Sequence, residues 1–281
     1  MLVGIMTVLS VATAVGLCIG TEAFESLHWL WLLPVSGVVA FLLLAALAFG
    51  LLVLMCHFVD PDKEREEDNK FFRTMINWYV EAVLFLLPVE VKTRGLEQTP
   101  KSGRFLLVCN HLHDIDPAFL LRYFQKSQLG FIAKREVRDM FLVGKVLPML
   151  LCSFVNREND REALKTILRC IKLLKEDKVS VAVFPEGYIH EDRKLYPFRP
   201  GVFKIAQKAN VPVVVCTLRD TQHVMKKVLS GKKAVVELHL LTVVPAETVT
   251  SMTTVALAQM IHDMMAEDLG PEYLPETEDN A

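Results

Sequence analysis

The sequence predicts an α/β domain with a mostly parallel sheet flanked by helices, preceded by an N-terminal transmembrane helical hairpin. Three observations predict it. Apolar runs of strand length recur from residue 89 to residue 243, and several are continuous instead of alternating, as strands covered on both faces require. Segments of helical periodicity separate them, and that alternation argues for parallel pairing. The first 59 residues hold two much longer apolar stretches.

The first stretch, Leu2 to Gly20, carries no charge and is just long enough for a span of roughly 20 residues. Its Ala12, Gly16 and Gly20 recur every fourth position, a spacing that lets a second helix approach closely. The second stretch, residues 29–59, is expected to start its span after Pro34 and end near Cys56. Between them Thr21–His28 has two glutamates and no Lys or Arg, whereas Lys63, Arg65, Lys70 and Arg73 follow the second stretch. The positive-inside rule then puts the short loop outside and the rest in the cytoplasm. A hairpin dipping into one leaflet is the alternative. A signal peptide competes for residues 1–20, but they lack a basic n-region.

Residues 60–70 read as a charged, solvated linker and residues 71–270 as the folded domain. It begins with an amphipathic helix, Phe71–Leu87, whose expected apolar face is Phe71, Met75, Trp78, Ala82 and Phe85. That helix packs on the domain or lies in the lipid interface with Trp78 and Tyr79 at headgroup depth. Expected strands are Val89–Thr93, Phe105–Cys109, Gly130–Ala133, Cys152–Val155, Val179–Phe184, Pro212–Leu218 and Ala234–Val243. Arg161–Lys175 is the clearest helix, with Leu164, Ile167, Leu168, Ile171 and Leu174 on one face. Gly201–Ala209 is a short helix, and Val249–Met265 a methionine-rich one stopped by Gly270 and Pro271, its methionines filling core gaps. Lys226, Lys227, Lys232 and Lys233 around Gly231 read as a solvated hairpin or an anionic-headgroup contact. Residues 271–281 form an acidic, frayed tail.

A net charge of -2 predicts neither nucleic acid nor an anionic membrane as a partner on bulk charge, and any basic site must be local. The six cysteines are scattered through apolar runs, with no disulfide or zinc spacing, which fits a reducing compartment. The absence of a Walker loop, a Gly-x-Gly-x-x-Gly turn and a Gly-x-Ser-x-Gly elbow weakens nucleotide-cofactor and serine-hydrolase readings. No cofactor or metal is expected.

The most informative string is Asn110-His111-Leu112-His113-Asp114-Ile115-Asp116, between an apolar strand and the helix-starting Pro117. On one helix, positions five apart lie about 140° from each other. His111 and Asp116 can therefore meet only if the turn folds back. A histidine held by a carboxylate is suited to taking a proton from a hydroxyl near neutral pH. Asp116 before Pro117 also has the form of a helix N-cap, so one carboxylate oxygen could cap while the other accepts from His111. His113 and Asp114 could contribute to a metal site, but no third ligand cluster accompanies them. Cys109, two residues from His111, reads as a buried strand residue in preference to an acyl-carrying nucleophile.

Downstream come Ser153-Phe154-Val155-Asn156-Arg157 and Val183-Phe184-Pro185-Glu186-Gly187, then Val211-Pro212-Val213-Val214. With the His-x4-Asp string, these blocks resemble the glycerolipid acyltransferases, and within them the 1-acylglycerol-3-phosphate acyltransferases, from about Phe71 to Val244. The fourth block departs from the pattern, with Val215 where a second proline is usual. The resemblance implies an acyltransferase, and the two apolar stretches make it an integral-membrane one. It would move a fatty acyl group from a thioester of coenzyme A or acyl carrier protein to lysophosphatidic acid, giving phosphatidic acid. The resemblance makes His111 the base and Asp116 its partner. It has Arg157 hold the acceptor phosphate, although pairing with Glu158 or Asp160 at the surface is the alternative. Glu186 would touch the glycerol or organise an arginine, and Gly187 would let the backbone approach substrate. Asn110 completes the first block. Lys134 and Arg135 follow a strand end and could face the same crevice, and Arg199 and Lys204 are further, weaker candidates. Acceptors such as glycerol 3-phosphate or another lysolipid, and a non-catalytic lipid-binding role, are the competing readings.

Overall fold

The computed structural model describes residues 1–61, 63–157 and 159–275. At its centre lie β1 (Val89–Arg94), β2 (Leu106–Cys109), β3 (Leu129–Lys134), β4 (Ser153–Val155), β5 (Ser180–Val183), β6 (Val213–Arg219) and β7 (Ala234–Val244). They form one sheet in the order β1-β7-β6-β2-β5-β3-β4. Every neighbouring pair is parallel except β6 and β7. Each expected strand is present, with no end moved by more than one residue.

Covering on both faces explains why those runs are continuous. Successive strand residues point to opposite faces. In β2, Leu106 and Val108 enter a core with α6 (Asp160–Lys175), α7 (Lys204–Ala209) and α10 (Thr254–Leu269). Leu107 and Cys109 enter the other core, with α3 (Lys70–Leu86), α4 (Asp116–Tyr123) and α5 (Val143–Met149). Each fully buried side chain of this size contributes about 1.5–3 kcal/mol. Met265 is buried in the first core, with Met252 and Met260 packed against it, as expected of gap-filling methionines.

Several helices differ from expectation. In α6 the buried face is Thr166, Cys170, Leu173 and Leu174, while Leu164 and Leu168 stay exposed. The expected helix at 249–265 is two, α9 (Ala246–Ser251) and α10, because Met252 is extended and the Thr253 hydroxyl caps Ala256 N–H at 3.2 Å. In α3 the core-facing residues are Phe72, Met75, Ile76, Val80 and Leu84, and Phe71 and Phe85 are exposed. Of the lysines expected on a hairpin, Lys226 and Lys227 lie within a short helix, α8 (Val224–Leu229), and Lys232 and Lys233 follow the turn after it.

The two apolar stretches are α1 (Leu2–Gly20) and α2 (Trp29–His57), packed as a pair and each long and apolar enough to cross a membrane. They point to membrane association. α2 starts before Pro34 and carries it in its second turn, earlier than expected. The contact stripe on α1 is Met6, Ser10, Ala14 and Cys18, with Ala14 Cβ 3.7 Å from where a Cβ on Gly37 would stand. Ala12, Gly16 and Gly20 face outward instead. Tyr79 of α3 donates to the Ala48 carbonyl in α2 at 2.7 Å, and the Met1 amine lies 3.3 Å from Glu81.

The linker is not a free connector. Glu66 pairs with Lys172 at 2.5 Å and Glu67 with Lys178 at 2.6 Å, and Arg169 donates to the Arg65 carbonyl at 2.8 Å. Arg73 is buried, bonded to Asp68 at 2.7 Å and to the carbonyls of Leu129 and Leu150 at 2.9 and 3.0 Å. Of the expected acidic tail, residues 276–281 lie outside the described residues.

Candidate active site

β2, β5, β3 and β4 are neighbours in the sheet and run parallel, so their carboxyl ends open on one side. In open α/β sheets that is where ligands bind. His111 follows β2, Glu186 follows β5, Lys134 ends β3 and Arg157 follows β4.

The turn after β2 does fold back, and one oxygen does it. Asp116 Oδ2 accepts from Leu112 N–H at 2.7 Å, from His113 N–H at 2.9 Å and from His111 Nδ1 at 2.9 Å. The expected division of labour is wrong. The N-cap position of α4 is Ile115, with no side-chain cap, and Asp116 Oδ1 is buried with no hydrogen-bond partner among the described residues. A carboxylate only accepts, so Nδ1 carries the imidazole proton and Nε2 keeps its lone pair. The ring stacks on Phe184 at 4.0 Å between centroids, 14° from parallel, and Phe184 lies 17° from parallel with Phe131. The His111 side chain remains 16% exposed.

Glu186 lies beneath this turn, 3% exposed. Its Oε1 accepts from His111 N–H at 3.0 Å and its Oε2 from Tyr196 N–H at 3.2 Å. Both carboxylate oxygens are used on backbone, so the side chain organises the His111 turn instead of an arginine. Burial pushes its carboxyl up to about 7, against the two backbone bonds. Native Glu186 then keeps a proton that an unfolded chain releases near 4.5. Stability from this group is present below that value and lost as pH rises through about 7, on the order of 2–3 kcal/mol across the window. Glu186→Gln should abolish that slope. The melting temperature of wild type minus that of the variant should fall from pH 5 to pH 8 in one detergent, and a constant difference would contradict the assignment.

Gly187 has φ of +94°, and a Cβ there would stand 2.8 Å from Arg199 Nε. The residue expected to admit substrate therefore admits Arg199, whose own N–H donates to the Pro185 carbonyl at 2.9 Å. Arg157 is half-buried. Burial, then the neighbouring Arg199 charge, push its guanidinium down, opposed by Glu136. Arg157 makes no hydrogen bond or ion pair among the described residues, and Glu158, its alternative partner, lies outside them. Arg157 and Arg199 thus bring two guanidinium charges near each other, after the ends of β4 and β5. Lys134 is exposed, 3.1 Å from Glu136, and Lys204 is exposed on α7.

Asn110 is buried, and its amide exchanges bonds with Leu218 of β6, giving to the carbonyl at 2.9 Å and accepting from N–H at 2.8 Å. It ties β2 to β6 across the sheet, a structural duty in place of the expected substrate contact. His113 Nδ1 accepts from Ile115 N–H at 3.2 Å. The Cys109 thiol is pushed well up, by burial first and then by Cys216, and lies in the α3–α4 core. Two contributors escaped the sequence reading. The Phe184 ring was visible in its block, but its stacking was not. Arg193, which donates to the Leu112 carbonyl at 3.0 Å, has no sequence signal.

Comparison with known proteins agrees with this geometry. The model of the family described as Acyltransferase matches residues 90–219. A "Probable 1-acyl-sn-glycerol-3-phosphate acyltransferase" of Mycoplasma pneumoniae is 31% identical over 162 residues, 56% of this chain and 60% of that protein. The "1-acyl-sn-glycerol-3-phosphate acyltransferase" of Limnanthes douglasii is 27% identical over 145 residues, 52% of this chain and 50% of the relative. The human "1-acyl-sn-glycerol-3-phosphate acyltransferase alpha" is 26% identical over 200 residues, 71% of this chain and 69% of the relative. The match thus spans 60% and 50% of the length of the first two. The crystal structure of the 1-acyl-sn-glycerophosphate (LPA) acyltransferase, PlsC, from Thermotoga maritima superposes with a TM-score of 0.59 at 22% identity, covering 78% of this chain and 86% of that one, a likeness of fold.

Proposed function

We propose that the chain, which the model of the family described as Acyltransferase matches over residues 90–219, transfers a fatty acyl group from a thioester to the free hydroxyl of 1-acylglycerol 3-phosphate, forming phosphatidic acid. The observation that carries this reading is the 2.9 Å contact between His111 Nδ1 and Asp116, which leaves Nε2 as a base at the mouth of the sheet. The hydroxyl oxygen attacks the thioester carbonyl while Nε2 takes its proton. Asp116 stabilises the imidazolium. When the tetrahedral intermediate collapses, the carbon–sulfur bond breaks and the imidazolium returns the proton to the departing thiolate. Either coenzyme A or an acyl carrier protein serves as leaving thiol in this chemistry. Labelled acyl donor, presented to the purified protein in detergent with a panel of lysolipids and glycerol 3-phosphate, tests the reading. Release of free fatty acid with no acylated lipid would make it a hydrolase.

In this reading Arg157 holds the acceptor's phosphate, with Arg199 and Lys134 beside it. A two-pronged, partly buried Arg–phosphate contact is worth about 1.5–3 kcal/mol, and lysine keeps the charge but loses the fork. Arg157→Lys should raise the KM for the lysolipid far more than that for the donor, and Arg157→Ala should raise it further. A rise in the donor constant alone would move Arg157 to the donor site.

The domains divide at residues 1–59, 60–70, 71–270 and 271–281, with the hairpin in the membrane and the domain on the cytoplasmic side. The lysine and arginine bias after α2 supports that side. With cysteines placed singly by Ser26→Cys and Lys101→Cys, an impermeant thiol reagent on intact cells should label position 26 alone. Labelling of position 101 alone reverses the orientation.

A further inference from the structure

The segment after α10 reaches back to the His111 turn. α10 ends on a fixed point. Asp268 accepts from Thr217 Oγ1 at 2.6 Å and lies 3.0 Å from His239 Nδ1, so its last turn is tied to β6 and β7. Gly270 then turns the chain with φ of +82°, where a Cβ would stand 2.8 Å from Glu272 Oε2. A short turn, Pro271–Tyr273, follows. Tyr273 is 7% exposed. Its hydroxyl accepts from Asp220 N–H at 3.1 Å and donates to Asp220 Oδ1 at 3.4 Å, and the Arg219 guanidinium lies 5.8 Å from the ring centre. Arg219 and Asp220 are where β6 ends, and β6 runs parallel to β2. Tyr273 is therefore seated on the sheet edge that carries His111.

From that seat its backbone holds a loop. The Tyr273 carbonyl accepts from Leu195 N–H at 2.7 Å. The next residue, Tyr196, gives its N–H to Glu186 Oε2 at 3.2 Å, while Glu186 Oε1 takes the N–H of His111 at 3.0 Å. Consecutive N–H groups of one loop thus serve the segment after α10 and the carboxylate under His111. A second path closes the ring, since Asn110, beside His111, exchanges bonds with Leu218, two residues before Asp220. Tyr273 lies outside residues 90–219, which the family model matches. A catalytic group misplaced by about 1 Å can lose on the order of 10²-fold in rate, so whatever fixes the His111 backbone bears on turnover. We infer that Tyr273 is a positioning residue of the proposed transfer. Seated by Asp220, it holds Leu195 and Tyr196 in place, and through Glu186 the backbone of His111. The inference rests on the reading of His111 as the base.

The test compares the full chain with its Tyr273→Ala and Tyr273→Phe variants in one detergent, by acyl-transfer kinetics and by residue-resolved hydrogen–deuterium exchange. Tyr273→Ala should lower kcat about 10–100-fold, with little change in the KM for the acyl donor. Tyr273→Phe keeps the ring and the carbonyl and loses only the hydroxyl bonds, so it should lower kcat about threefold. In Tyr273→Ala the amides of His111 and Tyr196 should exchange about ten-fold faster or more, while those of β3, on the far side of β5, keep their rates. Wild-type kcat in a folded Tyr273→Ala protein overturns the inference. So does faster exchange that extends equally through β3, which would make Tyr273 a residue of general stability. Should the alanine variant not fold, the same two readouts on Tyr273→Phe decide, and the absence of change in either overturns it. If wild type transfers no acyl group, the transferase reading fails, while the exchange rates still decide whether Tyr273 holds the His111 turn.

Discussion

His111→Ala should lower acyl transfer by about 10²–10⁴-fold, the usual contribution of a positioned general base, while leaving the protein folded. Both halves rest on the geometry. The imidazole is held by Asp116 on one side and by the Phe184 face on another, and no second imidazole stands in this turn with a free ring nitrogen and a carboxylate behind it. Removing the ring deletes one hydrogen bond to Asp116 Oδ2, whose bonds from Leu112 and His113 N–H remain to keep the turn closed. Turnover of the purified variant and its melting temperature should be measured together. A folded variant with wild-type turnover would falsify the mechanism. Asp116→Asn gives a sharper comparison, since it keeps the shape but presents an amide that can leave the imidazole in the wrong tautomer.

Arg73→Leu should have the largest effect on stability, about 3–5 kcal/mol, the usual consequence of breaking a buried ion pair from one side. The Arg73 side chain is 5% exposed and that of Asp68 10%. Its loss strands the Asp68 charge and two carbonyls, Leu129 at the start of β3 and Leu150 just before β4. These are the two strands that present Lys134 and Arg157, so the same change should loosen the anion side of the site. Denaturant unfolding in one detergent gives the number. Asp68→Asn combined with Arg73→Leu should cost less than Arg73→Leu alone, because no charge is then left buried. A loss below about 1 kcal/mol for the single change would mean that water or a neighbour replaces the guanidinium.

The strands were legible because burial on both faces leaves a composition signal that needs no knowledge of partners. Leu106-Leu107-Val108-Cys109 can be little else. The His111–Asp116 contact was legible only in part: the five-residue spacing required a turn that folds back, and the resemblance carried by the other blocks supplied the pairing. What failed depended on distant partners. Leucines on α6 looked like its core face, yet Thr166 and Cys170 are buried and Leu164 and Leu168 are not, since the side facing the sheet is set by strands elsewhere. Glu66 stays solvated as read, but its partner Lys172, 106 residues away, was not legible. Arg73 reads as a surface charge on an amphipathic helix, and its acceptors lie 56 and 77 residues away. Gly187 signalled a close approach correctly, but the approaching group is Arg199, which no local pattern could name.

The Tyr79 bond to the Ala48 carbonyl bears on how far a lipid must climb. With 29 residues, α2 is about 43 Å long, which matches a bilayer of roughly 40–45 Å with its head groups included. Ala48 lies nine residues, about 14 Å, short of the His57 end. α1 has 19 residues, the same reach as Trp29–Ala48, so its Met1 amine, paired with Glu81 of α3, stands near the Ala48 level. Charge is costly at depth. In the proposed span the water boundary on this side therefore passes near Ala48 and Tyr79 and not at the His57 end. α4 packs on α3, and its first residue is Asp116. Helices in contact lie 8–10 Å apart, a general spacing of roughly one helix layer. In the proposed reaction, an acceptor lying at that boundary is one helix layer from the element that begins with Asp116.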